Sequence, residues 1–195
     1  MKLKVFISWS GAASRTLALA LRDWLPVLLP GIDPFDSNRD IAIGKRWACD
    51  LAQQLERTKV GILCLTPFNL DSAWLNFEAG ALSKAVEQAC LMPILFGVDR
   101  SKLQDPLAQF QSTLFTKAEM WKLVVSLNAL LSERLKDDQL HQSFEVCWPQ
   151  LNETMDGVIE NSIDETETGI PWCFSAKDLE RRELDPKAKS VWVIT

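Results

Sequence analysis

Trp74 and Glu78 stand four residues apart in the run Ser72-Ala73-Trp74-Leu75-Asn76-Phe77-Glu78, so on a helix the indole and the carboxylate share a face. Ser72 is a good N-cap for such a helix, which the apolar spacing extends to about Gln88. The pair would then sit near its N-terminal end. Leu75, Ala79, Leu82 and Val86 make the buried stripe, and Glu78 lies at its edge, followed by the small residues Ala79, Gly80 and Ala81. A carboxylate in that position is partly desolvated. Burial raises a carboxylate pKa and a helix N-terminus lowers it, so the pattern leaves the net direction open. The plainer alternative is a solvated glutamate beside a tryptophan that anchors the core.

Other chemistries find little support. His141 is the one histidine, so a Ser-His-Asp or Cys-His mechanism would have to use it as base; it stands in a polar helical stretch with no nucleophile nearby and reads as a solvated surface histidine. Cys49, Cys64, Cys90, Cys147 and Cys173 are widely spaced, odd in number and nowhere in a C-x-x-C pair, which argues against a metal centre or a disulfide framework. Cys64 and Cys90 lie in apolar runs and read as buried, inert thiols.

The elements that must carry Trp74 and Glu78 alternate along the first half of the chain. Val5-Phe6-Ile7 is a short strand followed by the loop Ser8 to Ser14, and Leu17, Ala20, Leu21, Trp24, Leu25 and Leu28 recur at helical spacing. Pro26 should kink or end that helix, and Pro30-Gly31 stops it. Ile32 to Phe35 forms a second strand, Asp36 to Gly44 a polar loop with the apolar tip Ile41-Ala42-Ile43, and Lys45 to Arg57 a helix. Val60 to Leu65 is a continuous apolar run, the pattern of a strand covered on both faces. Thr66 to Asp71 is a loop, and Leu91 to Phe96 is the next strand. Strands and helices alternating across short loops predict an α/β fold, a flavodoxin-like parallel sheet with helices on both faces. Ligands of such sheets bind beyond the carboxyl ends of the strands.

After Gly97 the pattern turns helical. Thr116 and Glu119 make a T-x-x-E capping box before Leu123, Val124, Leu127, Leu130 and Leu131. Phe144, Cys147, Trp148, Leu151, Met155 and Val158 form another stripe, with Pro149 near its start or kinking it. Asn161 to Gly169 is rich in Asp, Glu and Thr and reads as a linker. The organisation expected is a domain over residues 1–160 with a helical extension, then residues 161–195 as a linker and the start of a possible further module, to which the strand-like Val191 to Thr195 would belong.

The chain has 195 residues, 47% of them apolar and 24% charged, with 21 Lys and Arg against 26 Asp and Glu for a net charge of −5. That balance supplies no basic field for a nucleic-acid backbone. No stretch approaches the roughly 20 apolar residues that cross a bilayer, and the N-terminus runs directly into a strand, so a cytoplasmic location is expected.

Several of these pieces, in order, resemble the Toll/interleukin-1 receptor (TIR) domains, in particular their bacterial branch. Val5 to Ser10 looks like the opening strand and its loop, and Ile41-Ala42-Ile43-Gly44-Lys45-Arg46-Trp47 looks like the BB loop. Val60 to Thr66 looks like the third strand, Ser72 to Glu78 like the S-x-W-x-x-x-E helix start, and Pro93-Ile94-Leu95 like the fourth strand. The resemblance implies a glycohydrolase that cleaves NAD+ between nicotinamide and ribose, with Glu78 as the catalytic residue. NAD+ would be the substrate, and no cofactor is implied. Trp74 would wall the site, while Ser8, Trp9, Ser10 and Arg39 would meet the diphosphate and nicotinamide side. Family members with this activity often carry a basic residue just after the first strand; Ser10 and Gly11 stand there in this sequence, and Arg15 and Arg39 are the nearest alternatives. The resemblance further implies a part in anti-phage defence or signalling, self-association through TIR domains, and activation by assembly or by an attached sensor or oligomerisation module.

Two other readings compete. A non-catalytic TIR interaction module would assemble through Arg39 to Lys45, yet would not require the Glu78 carboxylate. A flavodoxin-like nucleotide binder without turnover would want a Gly-rich phosphate loop after its first strand, where Gly11 stands alone.

Overall fold

The computed structural model describes residues 2–9, 11–36, 58, 60–70, 90–103 and 107–167. Within them β1 (Leu3–Ser8), β2 (Ile32–Asp36), β3 (Val60–Leu65), β4 (Cys90–Leu95) and β5 (Thr113–Leu114) form one parallel sheet in the order β2-β1-β3-β4-β5. This is the α/β, flavodoxin-like arrangement expected from the alternating pattern. Every residue of β3 is buried, as its unbroken apolar run requires of a strand covered on both faces.

Side-chain alternation divides the core in two. Val5, Ile7, Val60, Ile62, Cys64, Met92 and Ile94 point to the face covered by α1 (Ala12–Leu28), α2 (Lys117–Ala129) and α3 (Asp137–Met155). Phe6, Leu63, Leu65, Leu91 and Leu95 are buried on the other face, with Val98 and Leu107. There Phe6 lies in register with Phe35 on one side, their rings 5.4 Å apart, and with Gly61 on the other, where a large ring has a side chain's space to use. Pro34 is tolerated because β2 ends the sheet among the described residues. Pro93 stands one residue before β4 meets β5, so one flank at that position has no ladder to interrupt.

α1 opens at Gly11, whose φ of 86° turns the chain sharply from β1 into the helix at no steric cost. Pro26 does not end it early: the helix runs on to Leu28, because Leu21, Trp24, Leu25 and Leu28 are all buried. Pro149, expected near the start of its helix or at a kink, is not near the start. It lies well inside α3, which is assigned unbroken from Asp137 to Met155, and burial of Leu140, Phe144, Trp148, Leu151 and Met155 outweighs the hydrogen bond that proline cannot donate. The stripe does not continue to Val158 in one helix, since Gly157 at φ 69° breaks it and α4 (Val158–Glu167) begins afresh. The polar run read as a linker from Asn161 is therefore helical as far as Glu167, and the rest of the tail lies outside the described residues.

β5 went unseen in the sequence because two residues carry no period; a neighbour supplies the pairing, Thr113 and Leu114 lying beside Ile94 and Leu95. The capping box at α2 is half formed. Thr116 Oγ1 accepts from the Glu119 N–H, but the Thr116 N–H donates to the Leu114 carbonyl and the Glu119 carboxylate pairs with Arg100 and Lys122 instead. Cys64 is fully buried and its thiol pKa is pushed far up by desolvation, as expected of an inert thiol. Cys90 is not buried as the sequence suggested: it is exposed, because β4 begins there. Among the described residues no helix is long and apolar enough to cross a membrane.

Candidate functional site

The order β2-β1-β3-β4-β5 reverses direction between β1 and β3. After β1 the chain steps to one side, to β2, and after β2 it steps past β1 to β3. At such a switch point the connections leaving adjacent strand ends diverge and open a crevice, which is where open α/β sheets bind ligands. Ser8, at the end of β1, lies in register with Leu63, so β3 projects two residues further than its neighbour.

On the β1 side, Ser8 is fully buried and engaged with its surroundings. Trp9 packs partly against the helix-covered core, with the Arg15 guanidinium 5.6 Å from its ring centroid and its buried Nε1 without a hydrogen-bond partner among the described residues. Arg15 is exposed in the first turn of α1, where no acidic residue offsets the positive end of the helix dipole. The combination suits an anion at the mouth of the crevice.

The β3 side is a tight turn over Pro67 to Leu70. Asn69, 2% exposed, accepts at Oδ1 from the Thr66 N–H (2.8 Å) and donates from Nδ2 to the Cys64 carbonyl (3.0 Å), while its own N–H donates to the Thr66 carbonyl (3.2 Å). Thr66 is buried, and its Oγ1 has no partner among the described residues. Phe68 by contrast is 41% exposed. At the next strand end the Phe96 N–H donates to the Leu65 carbonyl at 2.9 Å, and Ile159 at the start of α4 packs on Gly97.

Of the six residues singled out in the sequence, the structure thus describes Ser8 and Trp9 and puts both at the end of β1. Ser10, Arg39, Trp74 and Glu78 lie outside the described residues, as does the Ile41 to Ile43 loop tip. Asn69 was missed. Its signal was there, an Asn three residues past a Thr at the end of an apolar run, which is the local side-chain-to-backbone pattern of a turn.

Residues 5–125 match the family model of the TIR domain. The chain belongs to the TIR domain family. The matched span runs from β1 through most of α2 and takes in Trp74 and Glu78, whereas α3 and α4 lie beyond this part of the TIR domain. Among solved structures, the TIR domains of the activated Roq1 resistosome directly recognizing the pathogen effector XopQ are similar at 18% identity, over 80% of this chain and 84% of that one, with a TM-score of 0.42. A diflavin flavoprotein A3 from Nostoc sp. is similar at 14% identity, over 85% of this chain and 97% of that one, with a TM-score of 0.33. No curated protein matches the chain.

Proposed function

We propose that this TIR domain hydrolyses NAD+, with Glu78 as the catalytic residue. The observation that carries the reading is the reversal of strand order between β1 and β3, where such sheets bind ligands, in a chain whose TIR match includes the Trp74–Glu78 pair. In the sequence that pair follows the β3 turn directly.

The chemistry needs little apparatus. Cleaving the C–N bond between the ribose and nicotinamide releases nicotinamide as a neutral molecule, since the ring nitrogen, cationic in NAD+, takes the bonding pair, and no general acid is required. The ribose is left oxocarbenium-like, and one carboxylate beside it offsets that charge, as in glycoside hydrolysis. Water then adds at the ribose carbon and loses a proton, giving ADP-ribose, nicotinamide and H+; capture by an adenine nitrogen or a ribose hydroxyl gives a cyclic isomer instead. In this reading Glu78 holds the ribose hydroxyls and faces the developing charge, and Trp74 supplies an apolar wall. Ser8, Trp9, Ser10 and Arg39 meet the diphosphate and nicotinamide side, joined by Arg15 at the positive end of α1. Self-association through the loop from Arg39 to Lys45, which brings the apolar Ile41 and Ile43 against a second copy, belongs to the same reading.

The test is incubation of concentrated protein with NAD+ and chromatography of the products, for the wild type, Glu78→Gln and Glu78→Ala. Nicotinamide release by the wild type alone, with the variants melting as it does, is the expected result. Equal turnover in the variants removes Glu78 from the mechanism, and a wild type that assembles without consuming NAD+ is a scaffold.

A further inference from the structure

α4 lies beyond the TIR match, which ends at residue 125, yet it returns to the carboxyl edge of the sheet, where ligands of such folds bind. Gly157, at φ 69°, turns the chain out of α3 and into it. Ile159 then lands on Gly97, just past β4: its Cγ1 and Cδ1 lie 3.1 and 3.2 Å from where a Cβ on that glycine would stand, and Pro67 Cδ, just past β3, closes the same spot at 3.7 Å. α4 also packs against α1, the helix that follows β1. One short helix therefore touches the connections that leave β1 and β4 and sits beside the one that leaves β3, and β1 and β3 are the strands on either side of the switch point.

The helix is held lightly. Val158 and Ile159 are half-buried, Val158 against the core shared by α1, α2 and α3, whereas Glu160 and Asn161 are exposed. Glu160, Asp164, Glu165 and Glu167 are its charged residues, with no Lys or Arg among them. Like charges three and four positions apart weaken a helix, and acids in its last turn oppose the dipole. Ten residues of this composition are marginal on their own, and a segment with few buried contacts opens without the core. The charge is also of the sign that repels a diphosphate. We infer that α4 is a strap beside the switch point, kept shut by Ile159 on Gly97, which lifts when a dinucleotide enters; the inference rests on the proposed NAD+ reading. A ligand that binds the open form shifts the strap toward it, and the apparent affinity of the resting protein is lowered by the fraction that is closed.

The experiment compares the full chain with Ile159→Asp and Ile159→Ala. Hydrogen exchange is followed at Asn161, whose N–H donates to the Gly157 carbonyl at 2.9 Å in the first turn of α4, with and without ADP-ribose, which carries the diphosphate and is not consumed. Steady-state NAD+ cleavage is measured alongside. In the wild type, saturating ADP-ribose should speed exchange at Asn161 by about threefold or more. In the variants that amide should exchange faster while β1 and β3 keep their protection, and KM for NAD+ should fall roughly three- to tenfold at similar kcat, as a mostly closed strap requires. Ile159→Ala serves if Ile159→Asp does not fold. Slower or unchanged exchange at Asn161 with ADP-ribose bound overturns the inference, as does an unchanged KM in a variant whose α4 has opened. If neither nucleotide is bound or cleaved by the wild type or the variants, the NAD+ reading itself falls, and the inference with it.

Discussion

Phe144 is the residue through which α3 holds α1 and α2 on the sheet, and Phe144→Ala measures how much that seam is worth. The side chain is 1% exposed, with its ring centroid 6.1 Å from Trp24 of α1, 5.3 Å from Trp121 of α2 and 5.7 Å from Trp148 on its own helix. Phe-to-Ala changes in cores cost about 3–5 kcal/mol, the spread reflecting how far the site collapses. Three large rings held in place by their own neighbours collapse poorly: the Trp24 indole donates to the Cys147 carbonyl at 3.0 Å, and Trp148 packs against Phe115 at 5.5 Å. The cost should therefore fall in the upper half of that range, about 4 kcal/mol. Against a total stability of about 5–15 kcal/mol that leaves a marginal domain. At about 2–4 °C per kcal/mol for a chain of this size, the melting temperature should drop by roughly 8–16 °C. Urea unfolding followed by far-UV circular dichroism is the assay, because the substitution alters tryptophan fluorescence directly. Phe144→Leu, which retains most of the volume, should cost less than about half as much. A loss below about 1.5 kcal/mol for Phe144→Ala, with an unchanged m-value, would show that the helices dock without the ring and that the aromatic seam is incidental.

Two further outcomes are expected. The pKa values of Glu119, Glu145 and Asp99 are held down, by the Lys122 and Arg100 hydrogen bonds, by Lys117, and by the Ser101 N–H respectively. Carboxylates lowered on folding stabilise the domain above their unfolded pKa of about 4 and lose that contribution as the pH falls through their folded values. The melting temperature should accordingly be flat between about pH 6 and 8 and decline below about pH 4, and the decline should be shallow because all three groups face solvent. Thr66→Val replaces a buried hydroxyl that has no partner among the described residues by a methyl of the same shape, so thermal stability should hold or rise by up to about 1 kcal/mol; a loss greater than that would show the hydroxyl to be bonded.

The alternation of strands and helices, the buried character of β3 and the helical stripes of α1, α2 and α3 are legible in the chain alone, because each rests on a local period of two or 3.6 residues. The pair Trp74 and Glu78 is equally legible, since a spacing of four residues is a property of the chain. Whatever depends on a neighbour is set by packing instead. β5 exists because Ile94 and Leu95 offer an open edge to two residues with no strand period of their own. Pro149 is carried inside a helix because five buried side chains of α3 outweigh one absent donor. The Glu119 carboxylate leaves its capping partner for Arg100, a residue nineteen positions away. The strand order at the β1/β3 switch point, and the bare flank of β3 that Asn69 fills, arise only when β1 stops at Ser8 beside a strand of equal length shifted two residues along. No local pattern encodes that offset, because it is a relation between two strands some fifty residues apart in the chain.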